Sequence, residues 1–136
     1  MLFSLFGKNS KKKVMMIDDD KKILEMYAQV LAHAPMFEII TVSDRKTFLA
    51  NIDKVDAVVS DFHMKDVTEI NFSAVLEICD SKKIPLLLIT GDIYPYYDYQ
   101  LSKPVSGRTI QAHIDKMLTN GYVPSKKKPP RSMKAA

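Results

Sequence analysis

Six side chains in this sequence have the types and the placement to handle a charged, oxygen-rich group: Asp18, Asp19, Asp20, Asp61, Thr90 and Lys103. Each stands at the end of an apolar or strand-like run. The aspartates follow KVMMI, Asp61 follows DAVVS, Thr90 follows PLLLI and Lys103 follows YQLS. Packing does not call for a polar residue at these positions. Carboxylates crowded within several ångströms repel one another and raise one another's pKa. A hard cation relieves that repulsion, and two or three carboxylate oxygens plus waters are what Mg²⁺ prefers. A lysine ammonium adds a fixed positive charge, and a threonine hydroxyl donates a hydrogen bond. An anion with several oxygens fits between them, with a phosphoryl group the obvious candidate. An aspartate in that setting can itself act as the nucleophile and form an acyl phosphate. Phosphoryl transfer needs mainly positioning and charge neutralisation, which such a set provides.

The elements that must position these residues read as an alternation of strands and helices. KVMMI (13–17) is apolar at consecutive positions, as in a parallel strand covered on both faces. Ile23, Leu24, Met26, Tyr27, Val30 and Leu31 recur at helical spacing over 20–34, and Pro35 closes that helix. Residues 37–42 form a second strand, and Ser43 or Asp44 can cap a short helix carrying Phe48, Leu49 and Ile52. A third strand covers 56–60. A helix over 68–79 carries Ile70, Phe72, Val75, Leu76 and Ile78, and strands follow at 85–89 and 99–102. The last helix, 106–120, shows Ile110, Ile114, Met117 and Leu118 on one face, with Gly121 as its stop. This order implies right-handed crossovers and an α/β fold, a parallel sheet with helices on both faces. In such sheets ligands bind at the carboxyl ends of the strands, where the polar residues stand.

The chain has 136 residues, the size of one globular domain. Its one cysteine, Cys79, excludes an internal disulfide and a Cys-rich metal site, and a reducing compartment is expected. No apolar run approaches the roughly 18–20 residues of a membrane helix. The apolar MLFSLF precedes Lys11–Lys13, the reverse of a secretory signal. The net charge of +4 conceals an uneven distribution. Residues 1–13 and 124–136 carry nine basic residues and no acid, which leaves 11 basic against 16 acidic residues in between. The chain is therefore an acidic domain with two basic ends, and specific nucleic-acid binding is not expected despite a pI near 9.1. We divide it into a flexible basic extension (1–12), a domain (13–121) and a flexible basic tail (122–136).

The segments VMMIDDD, VVSDFHM, LLLITG and LSKP, in this order and each at a strand end, resemble the receiver domain of two-component response regulators. The resemblance covers residues from about Lys12 to Asn120. It implies a flavodoxin-like three-layer sandwich with strand order 2-1-3-4-5. It implies Asp61 as phospho-acceptor, with Mg²⁺ held by Asp18, Asp19, Asp61 and the backbone carbonyl of His63. Thr90 becomes the switch hydroxyl, Lys103 the charge paired with the phosphoryl group, and Lys103-Pro104 a cis bond. With only about 16 residues after the last helix we expect a stand-alone signalling module, cytoplasmic and, by the resemblance, not an enzyme beyond phosphotransfer onto its own aspartate. It takes its phosphoryl group from a histidine kinase or a histidine phosphotransfer protein and switches affinity for an unidentified output protein.

The sequence departs from the family in three places. Only twelve residues separate Thr90 from Lys103, few enough to delete the family's fourth helix. The intervening GDIYPYYDYQLS contains Pro95 and four tyrosines and is a poor helix. Gln100 occupies the position of the family's aromatic switch, with Tyr99 beside it. After the acceptor, Lys65 and Glu69 replace the family's Pro and Gly.

Plainer roles stand beside these. Asp20 suits a helix N-terminus as well as a ligand. His33, His63 and His113 read as structural or solvated side chains, and Cys79 as a small buried hydrophobe. Tyr94, Tyr96, Tyr97 and Tyr99 either dock a partner or cover the sheet where the missing helix would lie. MLFSLF with its lysines is compatible with weak contact to a membrane surface, which would make the protein peripheral to the membrane, and the basic ends with an acidic partner. Two alternative functions compete. One is a receiver-like scaffold that works without phosphorylation. The other is a haloacid-dehalogenase-like phosphatase, whose Asp-x-Asp motif Asp18 and Asp20 imitate. Against the phosphatase, Lys22 stands where Thr or Val is expected, and Asp115 is the only acid after Lys103. The phosphatase would be modified on Asp18, the receiver on Asp61.

Overall fold

The structure is a computed structural model that describes residues 11–32, 37–62, 64 and 70–121. His33, His63, Lys65, Glu69, residues 1–10 and residues 122–136 lie outside the described residues, so the expectations placed on them are not addressed by it.

Five strands form one parallel sheet: β1 (Lys12–Ile17), β2 (Phe37–Val42), β3 (Ala57–Asp61), β4 (Leu86–Thr90) and β5 (Gln100–Ser102). Their spatial order is β2-β1-β3-β4-β5, as the resemblance implies. The helices are α1 (Lys21–Leu31), α2 (Arg45–Asn51), α3 (Phe72–Lys82) and α4 (Gly107–Asn120), with a 3₁₀ turn at Ile52–Lys54.

The central strands run apolar at consecutive positions, 14–17, 57–59 and 86–89, because both faces of the sheet are covered there. Alternate residues go to opposite faces. Val14, Met16, Ala57, Val59, Leu87 and Ile89 pack against Leu24 and Leu31 of α1 and Ile110, Ile114 and Met117 of α4. Met15, Ile17, Val58, Leu86 and Leu88 pack against Phe48 of α2 and Phe72, Val75, Leu76 and Cys79 of α3. The result is the expected three-layer sandwich.

Local chemistry explains the helix ends. Asp20 is the N-cap of α1: its carboxylate accepts from the Lys22 and Ile23 amides at 2.9 and 3.4 Å. Asp44, not Ser43, caps α2 by accepting from the Thr47 amide at 2.8 Å. Ser106 caps α4, and Gly121 ends it with a positive φ of 78°. The third helix starts later than its apolar spacing suggests. Asn71 caps it, accepting from the Ala74 amide at 2.8 Å, so Ile70 packs from outside the helix. The stripe on α1 is also narrower than expected, since Met26 and Val30 are exposed.

No helix stands between β4 and β5; residues 91–99 form turns. The tyrosines of this stretch cover the α2/α3 face of the sheet instead. Tyr94 and Tyr97 are buried in that cluster, and Tyr96 and Tyr99 pack against it. Tyr94 lies 4.9 Å from the Phe62 ring and 5.4 Å, edge to face, from that of Phe72. The Tyr97 hydroxyl donates to the Leu86 carbonyl. Of the two roles open to these tyrosines, Tyr94 and Tyr97 take the covering one.

Candidate functional site

Parallel register brings the strand ends together. Ile17 pairs with Ser60 and Asp61 with Ile89, so Asp18 and Asp61 emerge side by side. Thr90 pairs with Ser102, and the Lys103 amide donates to the Thr90 carbonyl at 2.8 Å. The Lys103-Pro104 bond is cis. Asp18, Asp61 and Lys103 line one depression at the carboxyl edge of the sheet, floored by Val59 and Ile89 and walled by Leu24 and Tyr27 of α1.

One carboxylate oxygen from each of Asp18, Asp19 and Asp61 lies within 4.8 Å of the others. Asp18 and Asp61 are only 6% exposed. The Lys103 ammonium sits 2.7 Å from Asp61 Oδ1. That oxygen is buried and, among the described residues, receives no regularly oriented hydrogen bond, so charge carries the contact. Burial works against the Lys103 charge, but the contact with Asp61 and the charges of Asp61 and Asp18 outweigh it and hold the ammonium above its ordinary pKa. The Asp18 carboxyl is pushed up to about 7. Burial is the main cause; the Asp19 side chain and the Asp61 charge add to it, against the Asp20 amide that donates at 3.0 Å and the Lys103 charge.

Among the described residues three carboxylates therefore face one ammonium, and the pocket they form is short of positive charge. Its donors are all hard oxygens, which is the set a Mg²⁺ ion takes, with water completing the shell. Asp18, Asp19 and Asp61 fit such an ion. Asp20 is turned away to its helix cap, which settles its role.

Thr90 is almost fully buried on the strand next to Asp61, yet its hydroxyl serves its own loop. Oγ1 donates to the Asp92 carbonyl at 2.8 Å and accepts from the Asp92 amide at 3.2 Å. Gln100 does not mimic an aromatic switch. Its side chain accepts from the Tyr94 amide at 2.8 Å and donates to the Tyr94 and Tyr97 carbonyls at 2.5 and 2.6 Å. It supplies the backbone partners that a helix would have supplied internally. Tyr99 lies against both sheet-face clusters, and its hydroxyl meets His113 Nδ1 at 3.0 Å. That contact gives His113 its structural role.

Tyr27 was missed by sequence reasoning. Helical spacing placed it in the core, and only the fold shows it beside Asp18, Asp61 and Lys103. Burial raises its phenol's pKa, and the nearby Lys103 charge opposes that.

No family model matches the chain, and no curated protein sequence matches it. Solved structures do. A CheY-like response regulator receiver domain from Methanospirillum hungatei is 21% identical with a TM-score of 0.69, over 82% of this chain and 96% of that one. A chemotaxis response regulator of Vibrio cholerae is 25% identical with a TM-score of 0.64, over 80% of this chain and all of that one. The signal receiver domain of a LuxO repressor protein from Vibrio parahaemolyticus is 15% identical with a TM-score of 0.69, over 82% and 92%. With the strand order and the strand-end residues already in place, these likenesses show that the chain has the receiver-domain fold of response regulators.

Proposed function

We propose that this protein is a response-regulator receiver that accepts a phosphoryl group on Asp61 in a Mg²⁺-dependent reaction and thereby changes its affinity for a partner protein. The observation that carries the reading is Asp61 itself: a buried carboxylate at a strand end, with the Lys103 ammonium on one side and Asp18 and Asp19 on the other. A bound Mg²⁺ would neutralise phosphoryl oxygens and lower the repulsion against an attacking carboxylate. Asp18, Asp19 and Asp61 would hold it, with the His63 carbonyl as a further ligand by family resemblance.

The protein's own groups do the rest. An Asp61 oxygen attacks phosphorus. The P–N bond of a phosphohistidine breaks, the histidine leaves, and an aspartyl phosphate forms. Lys103, now beside Asp61, neutralises the transferred group. Thr90 is one strand away and can turn its hydroxyl to a phosphoryl oxygen. A histidine kinase or histidine phosphotransfer protein is the donor, and a cytoplasmic signalling pathway is the setting. The phosphorylation-independent scaffold stays a second reading, because no helix lies between β4 and β5, where family members place much of their output surface.

Incubation with Mg²⁺ and acetyl phosphate, read by intact mass, tests this. The wild type gains one phosphoryl group and Asp61→Ala gains none. Label retained in Asp61→Ala but lost in Asp18→Ala would point to the phosphatase-like chemistry. No label on the wild type, with no binding of beryllofluoride, would leave the scaffold.

A further inference from the structure

We propose that Gln100 is the positioning residue that couples occupancy of the Asp61 site to the surface loop 91–99, in place of a rotating aromatic side chain. The inference rests on the receiver reading and adds the route by which the site is read out.

Two anchors hold the start of this loop. One is the Thr90 hydroxyl, which donates its single proton to the Asp92 carbonyl. The other is Gln100, which fixes the amide and carbonyl of Tyr94 and the carbonyl of Tyr97. Between them stands Ile93, 79% exposed and the most exposed of the large hydrophobic residues described. A hydroxyl has one proton to give. If Thr90 donates to an anion on Asp61, the Asp92 carbonyl loses that bond and the first anchor opens. Gln100 keeps the second anchor closed, because Tyr94 and Tyr97 are buried against α3 and β4. The adjustment therefore falls on Gly91, Asp92 and Ile93.

Energetically, Gln100 favours the resting loop. Its two bonds to Tyr94 and one to Tyr97 fix the far end of the stretch where the Thr90–Asp92 bond forms, so release of Thr90 must be absorbed by three residues and is opposed. Only a differential effect counts: whatever destabilises the resting loop relative to the released one tightens anion binding by the same factor. Ordinary coupling energies correspond to about fivefold or more.

The test uses the full-length protein with Mg²⁺ and beryllofluoride as a stand-in for the phosphoryl group. Binding is followed by fluorine NMR and loop opening by hydrogen exchange. In the wild type, beryllofluoride should raise exchange of amides 91–93 about fivefold or more and leave Tyr94, held by Gln100, and 97–100 unchanged. Gln100→Ala should show raised exchange over 91–97 before loading, little further change on loading, and beryllofluoride binding several-fold tighter than wild type. Gln100→Glu keeps the acceptor for the Tyr94 amide but cannot donate to the two carbonyls, and should behave in the same direction. A residue with a merely structural role would weaken binding when replaced. Wild-type binding without a change at 91–93 overturns the coupling. So does equal or weaker binding in both variants. No beryllofluoride binding to wild type overturns the receiver reading and the coupling with it.

Discussion

Asp18 shows how much of this site is a compromise at the level of single groups. Its carboxyl is held at about 7 against an ordinary 3.8, first by burial and then by Asp19 and Asp61. The folded state therefore keeps a proton that the unfolded chain releases near pH 4. Between those values stability falls as pH rises, because the unfolded state binds fewer protons. In a divalent-free buffer, Asp18→Asn should melt higher than wild type, by a margin that grows from pH 5 to pH 7 and reaches several degrees. Mg²⁺ should then raise the melting temperature of the wild type, since an ion held by the three carboxylates would bind the folded state alone, and have little effect on the variant. Calorimetry at both pH values with and without the ion checks both parts. The acids, Thr90 and Lys103 were legible in the sequence because a polar residue ending an apolar run has no packing reason to be there. Tyr27 and Gln100 were not. A tyrosine at helical spacing looks like core, and the meaning of Gln100 lies in backbone groups several residues away that only the folded loop brings to it.

The third helix illustrates how elements are decided by caps as well as stripes. The apolar spacing suggests a start at Thr68, but Asn71 supplies the side-chain acceptor for the free Ala74 amide, and the helix starts at Phe72. Spacing reports which face is buried; it does not report where the backbone first turns helical. Asn71→Ala should cost about 0.5–2 kcal/mol, the usual loss of an N-cap, and Asn71→Ser should recover most of it, as read from urea denaturation. Phe72 sits one step further in and meets Phe62, Tyr94 and Tyr97. Phe72→Ala should cost about 3–5 kcal/mol and loosen the tyrosine loop as well, because Phe72 is the floor on which that loop rests. The absence of a helix between β4 and β5 was legible from the short Thr90–Lys103 spacing. What replaces it was not: four tyrosines on a turn-rich segment fit a docking patch equally well until their burial is known.

At the scale of the whole molecule, the sheet order gives the strands unequal protection. β1, β3 and β4 are each paired on both sides and covered on both faces, and Val14, Met15, Val58, Leu87 and Leu88 have no exposed surface. β5 is three residues long, pairs on one side and adjoins the helix-free loop. The sequence indicated the two-faced burial through its unbroken apolar runs, while the order of strands came from resemblance, since nothing in periodicity says which strand neighbours which. The consequence is a graded stability. Amides of β1, β3 and β4 should exchange with solvent only through global unfolding and share one free energy of opening, whereas those of β5 and 91–99 should open at lower cost. Mg²⁺ with beryllofluoride should raise protection of the three central strands together, because binding to the folded state adds equally to every global opening. Segment 91–93 should move the other way, since there the ligand competes for the Thr90 proton. Native-state hydrogen exchange by mass spectrometry reads both trends in one experiment. Uniform protection of all five strands would mean that the pairing of β5 and the Gln100 clamp bind the helix-free edge into the core as firmly as a helix would.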